Sequence, residues 1–232
     1  MSASDHLSAV FPVLANPDVE VLATRLDVDD TAEAELIPLL SVEELGRADR
    51  FHFKHHRRHY IVARARLRQL LGIRLQVPPA TVEISVGRHG KPALGGGHET
   101  QKLSFNLSHS GQLAVYAFSH SQQVGVDVEA FRHIPEIDGL AERYFSTAEV
   151  AALRATPSDQ RQLAFLACWT RKEAFVKAVG EGLNYPLKSF DVSVSPHAPA
   201  AILRVGTLNG KEAGWRMTAF QPASDHIGAV VY

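Results

Sequence analysis

At 232 residues, with 45% hydrophobic and 21% charged residues, the chain has the make-up of an ordinary soluble globular protein, long enough for one large core or two small ones of about 115 residues each. Its 24 Lys and Arg nearly balance 25 Asp and Glu, so no global field speaks for nucleic acid or an anionic membrane, and any basic site must be local. The single cysteine, Cys168, excludes an intrachain disulfide and a thiolate metal cluster, which fits a reducing cytosol. No charged-then-apolar leader opens the chain, and no apolar run reaches the roughly 18 residues of a membrane helix. A cytoplasmic, non-membrane protein is expected.

Residues 1–17 carry no clear pattern, and Val19 to Leu26 alternate as a strand. A short helical segment after Asp29 and Asp30 is interrupted by Pro38. Ser41-Val42-Glu43-Glu44 has the spacing of a capping box and opens a short helix through Leu45 and Ala48. Arg47, Arg50, Lys54, Arg57, Arg58, Arg64, Arg66 and Arg68 then interleave with His52, His55, His56 and His59, while Tyr60, Ala63, Leu67, Leu70 and Leu71 keep helical spacing up to Gly72. This predicts a helix with an apolar stripe and a cationic flank. The flank is either solvated surface or a phosphate site, since Arg and Lys give charge-assisted bonds to phosphoryl oxygens. A histidine metal site is the weaker alternative.

Thr81 to Val86 alternates as a strand, and Gly87 to Pro92 is a turn. Gly95-Gly96-Gly97 makes a second loop. Leu103 to Leu107 reads as a strand that stops at a polar hairpin tip, Ser108-His109-Ser110-Gly111, before another strand from Leu113 to Phe118. Adjacent Ser and His residues on such a tip lack the nucleophile elbow of a hydrolase, so an anion held by backbone, hydroxyls and His109 is the better reading. In Gln123 to Phe131, Val124, Val126 and Val128 fall on one strand face and Gly125, Asp127 and Glu129 on the other. Two neighbouring carboxylates are either ordinary surface acids or the ligands of a hard cation such as magnesium.

Ser146-Thr147-Ala148-Glu149 is a second capping box. Pro157-Ser158-Asp159 then caps a long helix from about Gln160 to Val179, stopped by Gly180 and Gly182 and carrying Glu173 and Lys177 four residues apart. Ser189 to Val194, Ala201 to Val205, Trp215 to Phe220 and Ile227 to Val231 read as antiparallel strands separated by Pro, Asn-Gly and Asp turns. The expected fold is mixed α+β, with two similar halves, 1–118 and 119–232, each a long helix on a mainly antiparallel sheet.

Four stretches in order, Gly90-Lys91-Pro92, Phe105 to Ser110, Val124 to Glu129 and Trp169 to Ala178, together resemble the 4′-phosphopantetheinyl transferases of the Sfp type. The resemblance implies a pseudodimer of two α/β halves with coenzyme A and magnesium, or manganese in its place, in the cleft between them. It also implies an activity: transfer of the phosphopantetheine arm of coenzyme A to a serine of an apo carrier protein, with release of adenosine 3′,5′-bisphosphate. By the same resemblance Asp127, Glu129 and Glu173 are the metal-binding acids, Glu173 doubling as candidate base, and Lys177 faces the phosphates. Lys91, Pro92, Ser108 and His109 match coenzyme A contacts, and Arg47 corresponds to a basic N-terminal position. Where several relatives carry another basic residue a turn earlier, this chain has Glu44, and the choice among Lys54, Arg57 and Arg58 stays open. Cys168 is expected to be a buried packing residue, because the nucleophile comes from the carrier. Arg132 and Arg143 complement an acidic fatty-acid, polyketide or peptide-synthetase carrier. A monomer is expected. The runner-up reading is a non-catalytic protein that binds coenzyme A or a carrier, and a third is a metal-dependent phosphoesterase.

Overall fold

The computed structural model describes residues 9–87, 90–98, 101–182, 185–205 and 214–232. Val10–Ala15 (β1) and Glu20–Arg25 (β2) form an antiparallel pair, followed by Asp30–Leu36 (α1), a 3-10 turn over Ile37–Leu39, Val42–Ala48 (α2) and Lys54–Leu75 (α3). β1 carries Pro12 and a register shift between Pro12 and Leu14. A bulge and a proline at a sheet edge erase the alternation that marks a strand, and the unpatterned start of the chain hides one for that reason. Both capping boxes form with their reciprocal bonds, Ser41 with Glu44 and Ser146 with Glu149.

The basic helix runs past Gly72 and ends at Gln76, which takes the left-handed conformation at φ 58°. Gly72 has a packing role instead. A Cβ there would lie 2.8 Å from the Val77 carbonyl oxygen, where the chain folds back over the helix end. Pro79–Thr81 winds into a 3-10 turn, which shortens the next strand to Ile84–Val86 (β3), paired with Pro92–Leu94 (β4). Ser104–Ser110 (β5), Leu113–Ser119 (β6) and Gly125–Ala130 (β7) follow. Ser108 and His109 therefore lie within β5, paired with Val115 and Ala114, and the turn is left to Gly111 and Gln112. The polar hairpin tip expected there is displaced by two residues.

Ile137–Tyr144 (α4) enters from Glu136 in the left-handed region with no side-chain cap, so its start gives no sequence signal. Thr147–Ala155 (α5) and Arg161–Val179 (α6) come next. The N-cap of α6 is Gln160, without a side-chain bond, rather than the Pro157-Ser158-Asp159 stretch, and its C-cap is Gly180 at φ 81°. Phe190–Val192 (β8), Ile202–Val205 (β9), Met217–Phe220 (β10) and His226–Val231 (β11) complete the chain. The Asn-Gly turn expected between β9 and β10 lies outside the described residues.

The strands make a four-stranded antiparallel sheet in the order β1-β2-β6-β5 and a three-stranded one in the order β10-β11-β7, besides two short pairs. α3 covers one face of the first sheet, burying Ile61, Leu67 and Leu71 with Leu22, Tyr116 and Phe118. α6 covers one face of the second, where Ala174, Phe175 and Ala178 pack with Ala229 and Val231. The remaining faces join in a third core, Val21, Ala23, Val115 and Ala117 against Val124, Val126, Val128 and Val230. The architecture is the mixed α+β fold expected, with Val124, Val126 and Val128 buried together as their alternation requires.

Along one seam, β5 runs beside β7 although the two belong to different sheets. Side chains connect them. Asn106 Oδ1 accepts from Val126 N at 2.9 Å, Ser108 Oγ donates to Asp127 Oδ1 at 2.8 Å, and Ser110 Oγ donates to Glu129 Oε2 at 2.8 Å while accepting from Ala130 N at 3.1 Å.

Candidate active site

β7 brings its acids to α6 by close backbone approach. A Cβ on Gly125 would stand 2.2 Å from both Ala174 O and Ala178 N, so the helix rests directly on the strand. Two residues on, Asp127 Oδ1 accepts from Lys177 Nζ at 2.7 Å and from Ser108 Oγ at 2.8 Å, and Lys177 also reaches Ser108 Oγ at 3.0 Å. Strand β5, strand β7 and helix α6 thus meet in one three-residue knot. Asp127 is 5% exposed, and its second oxygen, Oδ2, is buried without a hydrogen-bond partner.

Glu129 and Glu173 flank this knot. Burial pushes the Glu129 carboxyl above its ordinary value; the Ser110 bond opposes that and the Asp127 charge adds to it. Burial likewise raises Glu173, again reinforced by Asp127 and, less strongly, by Glu129, with Lys177 opposing. The three acids therefore feel one another's charge although they come from two elements. They do not converge on a point: among the described residues no three acidic, histidine or cysteine side chains are preassembled to hold a metal. The donor set nonetheless fits a hard divalent cation, because an orphaned buried oxygen on Asp127 and two carboxylates disfavoured as anions all gain from one.

Arg47, Lys91, Pro92, Ser108, His109 and Lys177 all line one cleft of about 850 Å³. The His109 imidazole, at its rim, is held below its ordinary value by desolvation and by the positive Lys177. Arg47 stacks its guanidinium 5.5 Å from the centre of the Tyr60 ring, which also lines the cleft. Lys91 is placed differently from a side chain extended toward a ligand. Its ammonium donates to Val124 O at 3.0 Å, Gln123 Oε1 at 3.2 Å and Ala178 O at 3.3 Å, tying the β3–β4 hairpin to the end of α6. With no carboxylate among these partners, burial lowers its pKa to about 8. Asp127, Glu129 and Glu173 are not among the residues lining this cleft. Glu173 borders an adjoining pocket of about 330 Å³ with Arg143, Tyr144, Tyr185 and Lys188, which shares Val176 and Gly182 with the cleft.

The basic flank of α3 is largely spent inside the protein. Arg57 bonds Glu33 and Asp49, Arg58 bonds Glu33, Asp30 and the Val28 carbonyl, and His59 meets Asp27 at 2.6 Å. Neither Arg57 nor Arg58 lines the cleft. Glu44 is 7% exposed and serves twice: it closes the capping box and receives Arg64 at 2.6 Å and Arg68 at 2.6 Å. An acid at this position anchors α2 to α3. Sequence reading gave Asn106 and Tyr60 no site role, named Arg64 only within the basic flank of α3, and named Ser110 only as a hydroxyl of the anion-binding tip rather than as a partner of Glu129. A signal for Asn106 and Ser110 was present, since Asn106, Ser108 and Ser110 recur at a two-residue interval with Phe105 and Leu107 on the alternate positions.

This fold and cleft define a family. Residues 123–231 match the model of the 4′-phosphopantetheinyl transferase superfamily, and residues 31–121 match that of the 4′-phosphopantetheinyl transferase N-terminal region. The chain belongs to the 4′-phosphopantetheinyl transferases. It is 37% identical over 217 residues to the 4′-phosphopantetheinyl transferase HetI of Nostoc sp., covering 94% of this chain and 88% of that protein. It is 32% identical over 157 residues to the 4′-phosphopantetheinyl transferase ffp of Bacillus subtilis, covering 68% and 67%. Against the Sfp protein of Bacillus subtilis strain 168 the identity is 29% over 163 residues, covering 70% of each. No helix among the described residues is long and apolar enough to cross a membrane.

Proposed function

We propose that this chain is a magnesium-dependent 4′-phosphopantetheinyl transferase. It takes the phosphopantetheine arm from coenzyme A, places it on a serine of an apo carrier protein of fatty-acid, polyketide or peptide synthesis, and releases adenosine 3′,5′-bisphosphate. The observation that carries the proposal is the knot of Ser108, Asp127 and Lys177 across β5, β7 and α6, where a cation, a hydroxyl and a half-satisfied carboxylate meet beside the cleft. We also read residues 1–118 and 119–232 as the two halves of a pseudodimer that works as a cytoplasmic monomer, each half supplying part of one cleft.

In the reaction the carrier serine Oγ bonds to the phosphorus next to the pantetheine, and the bond from that phosphorus to the bridging oxygen breaks. The bridging electron pair leaves with adenosine 3′,5′-bisphosphate. Arg47, Lys91, Ser108, His109 and Lys177 hold the phosphates, with Pro92 beside Lys91 in the coenzyme A site, and Lys177 offsets charge that grows on the leaving phosphate. Asp127, Glu129 and Glu173 would hold magnesium, or manganese in its place, which when bound neutralises pyrophosphate oxygens as a Lewis acid. Glu173 takes the serine proton; its raised pKa suits a base that works near neutrality. Arg132 and Arg143 meet the acidic carrier.

Incubation with coenzyme A, a divalent cation and apo carriers should add one phosphopantetheine to the carrier serine by mass spectrometry. E173Q should abolish the gain while coenzyme A binding persists. No gain across fatty-acid, polyketide and peptide-synthetase carriers overturns the proposal, and coenzyme A binding without transfer would leave the non-catalytic alternative standing.

A further inference from the structure

The C-terminal strand β11 contributes nothing to the family's sequence motifs quoted above, yet its first residue reaches the edge of the acid cluster. His226 is 4% exposed. Its Nδ1 lies 2.8 Å from Asp225 Oδ1 and its Nε2 lies 3.1 Å from the backbone carbonyl of Ser110. The Ser110 carbonyl can only accept, so the bond to it is donated by Nε2–H. The bond to His226 holds the Asp225 carboxyl below its ordinary value. Ser110 in turn donates its hydroxyl to Glu129 Oε2 at 2.8 Å and accepts from Ala130 N at 3.1 Å. In the ladder His226 pairs with Ala130 and Ile227 with Glu129, so the imidazole stands where β7 ends. It also fills the space under the hairpin turn: a Cβ on Gly111, at φ 55°, would come within 3.7 Å of Nε2.

We infer that Asp225, His226 and Ser110 form a positioning chain for Glu129, and that this chain sets the affinity of the acid cluster for its divalent cation. The imidazole pins the carbonyl of Ser110, which fixes that residue's rotation at the end of β5. The Ser110 hydroxyl then fixes one carboxylate oxygen of Glu129, Oε2, and Oε1 is the oxygen outside that bond. Groups that orient a metal-binding carboxylate from behind typically change metal affinity about 10- to 100-fold when removed. None of the three needs to touch substrate. The inference rests on the assignment of Glu129 as a cation ligand.

The test uses the full chain and Mn2+ as the probe, followed by electron paramagnetic resonance or calorimetry with coenzyme A present. S110A and H226F should weaken Mn2+ binding about 10- to 100-fold, whereas coenzyme A affinity measured in EDTA stays at the wild-type value. H226Q, whose amide can still donate to the Ser110 carbonyl, should restore most of the Mn2+ affinity lost in H226F. Circular dichroism establishes that each variant is folded, and S110A, a loss of one oxygen atom, tests the chain even if H226F does not fold. Wild-type Mn2+ affinity in S110A and in the folded histidine variants overturns the positioning chain while leaving transferase activity intact. A wild-type protein that binds no Mn2+ removes the cation assignment itself, and the inference falls with it.

Discussion

Replacing Gly125 by alanine probes the contact on which the whole site depends. The added Cβ would sit 2.2 Å from Ala174 O and from Ala178 N and 2.8 Å from Ala178 Cα, all backbone atoms of α6. Ordinary van der Waals contact begins near 3.4 Å. Helix and strand must therefore part by about 1.2 Å locally, because a helix backbone cannot fold away as the tip of a side chain can. Glu173 and Lys177 ride on the displaced segment, while Asp127 and Glu129 stay on the strand. Overpacking of this kind costs about 1–3 kcal/mol, which for a chain of this size lowers the melting temperature by about 2–12 °C. A misplacement of about 1 Å in a catalytic group costs about 100-fold in rate. G125A should consequently fold, melt several degrees early, and load a carrier about 100-fold more slowly, with the loss mainly in kcat. Mass-spectrometric or fluorescent coenzyme A transfer assays read the rate and differential scanning calorimetry reads the stability. A G125A protein with wild-type kcat would refute the claim that helix-to-strand contact aligns the site.

Three further outcomes follow from the electrostatics. Glu129 and Glu173 have raised carboxyl pKa values in the fold, so the folded state holds their protons more tightly than the unfolded chain does, and stability falls as pH rises through that window. Metal-free E129Q and E173Q should therefore melt above the wild type at pH 7.5, with the gap closing as pH drops toward 4; a wild type that is the more stable form at neutral pH would contradict this. Lys91, whose pKa is about 8, should take up a proton when the phosphates of coenzyme A arrive at pH 8.5–9. Calorimetry in two buffers of different ionisation enthalpy should show that uptake in the wild type and not in K91M, and equal proton counts would exclude Lys91 as a charge partner of the ligand. Finally, Lys172 is fully buried and donates to both Glu149 oxygens at 2.7 Å and to Phe190 O at 2.9 Å. K172M should cost about 3–5 kcal/mol by stranding the Glu149 charge, and K172M/E149Q should recover most of it in denaturant titrations; equal stability of the two variants would refute the stranded-charge account.

The long helices, both capping boxes and the acid strand were legible in the sequence because each rests on local spacing: 3.6-residue periodicity, a serine three residues before a glutamate, alternation in β7. Asp127, Glu173 and Lys177 were legible as a set only through their resemblance to a family, since the elements that bring them together are separated by the whole of α4 and α5. What stayed hidden depends on tertiary partners. The cationic flank of α3 read as a phosphate site, yet Glu33, Asp49 and Glu44 absorb Arg57, Arg58, Arg64 and Arg68, and nothing local in the sequence announces those pairings. β1 was hidden by its bulge and Pro12, and α4 by its uncapped start. The role of Ser110 was hidden because its partner, His226, lies at the far end of the chain.

The seam between β5 and β7 acts as a template. Ser108 and Ser110 are polar teeth set at the same two-residue pitch as Asp127 and Glu129, and each tooth engages its own acid. A slide of β7 by one residue would offer Val126 or Val128 to the serines and leave the hydroxyls facing hydrocarbon, so only one alignment satisfies both edges. The strand that supplies none of the acids thus decides where they stand. The spacing of Asp127 and Glu129 is moulded by a neighbour that bonds them only through hydroxyls.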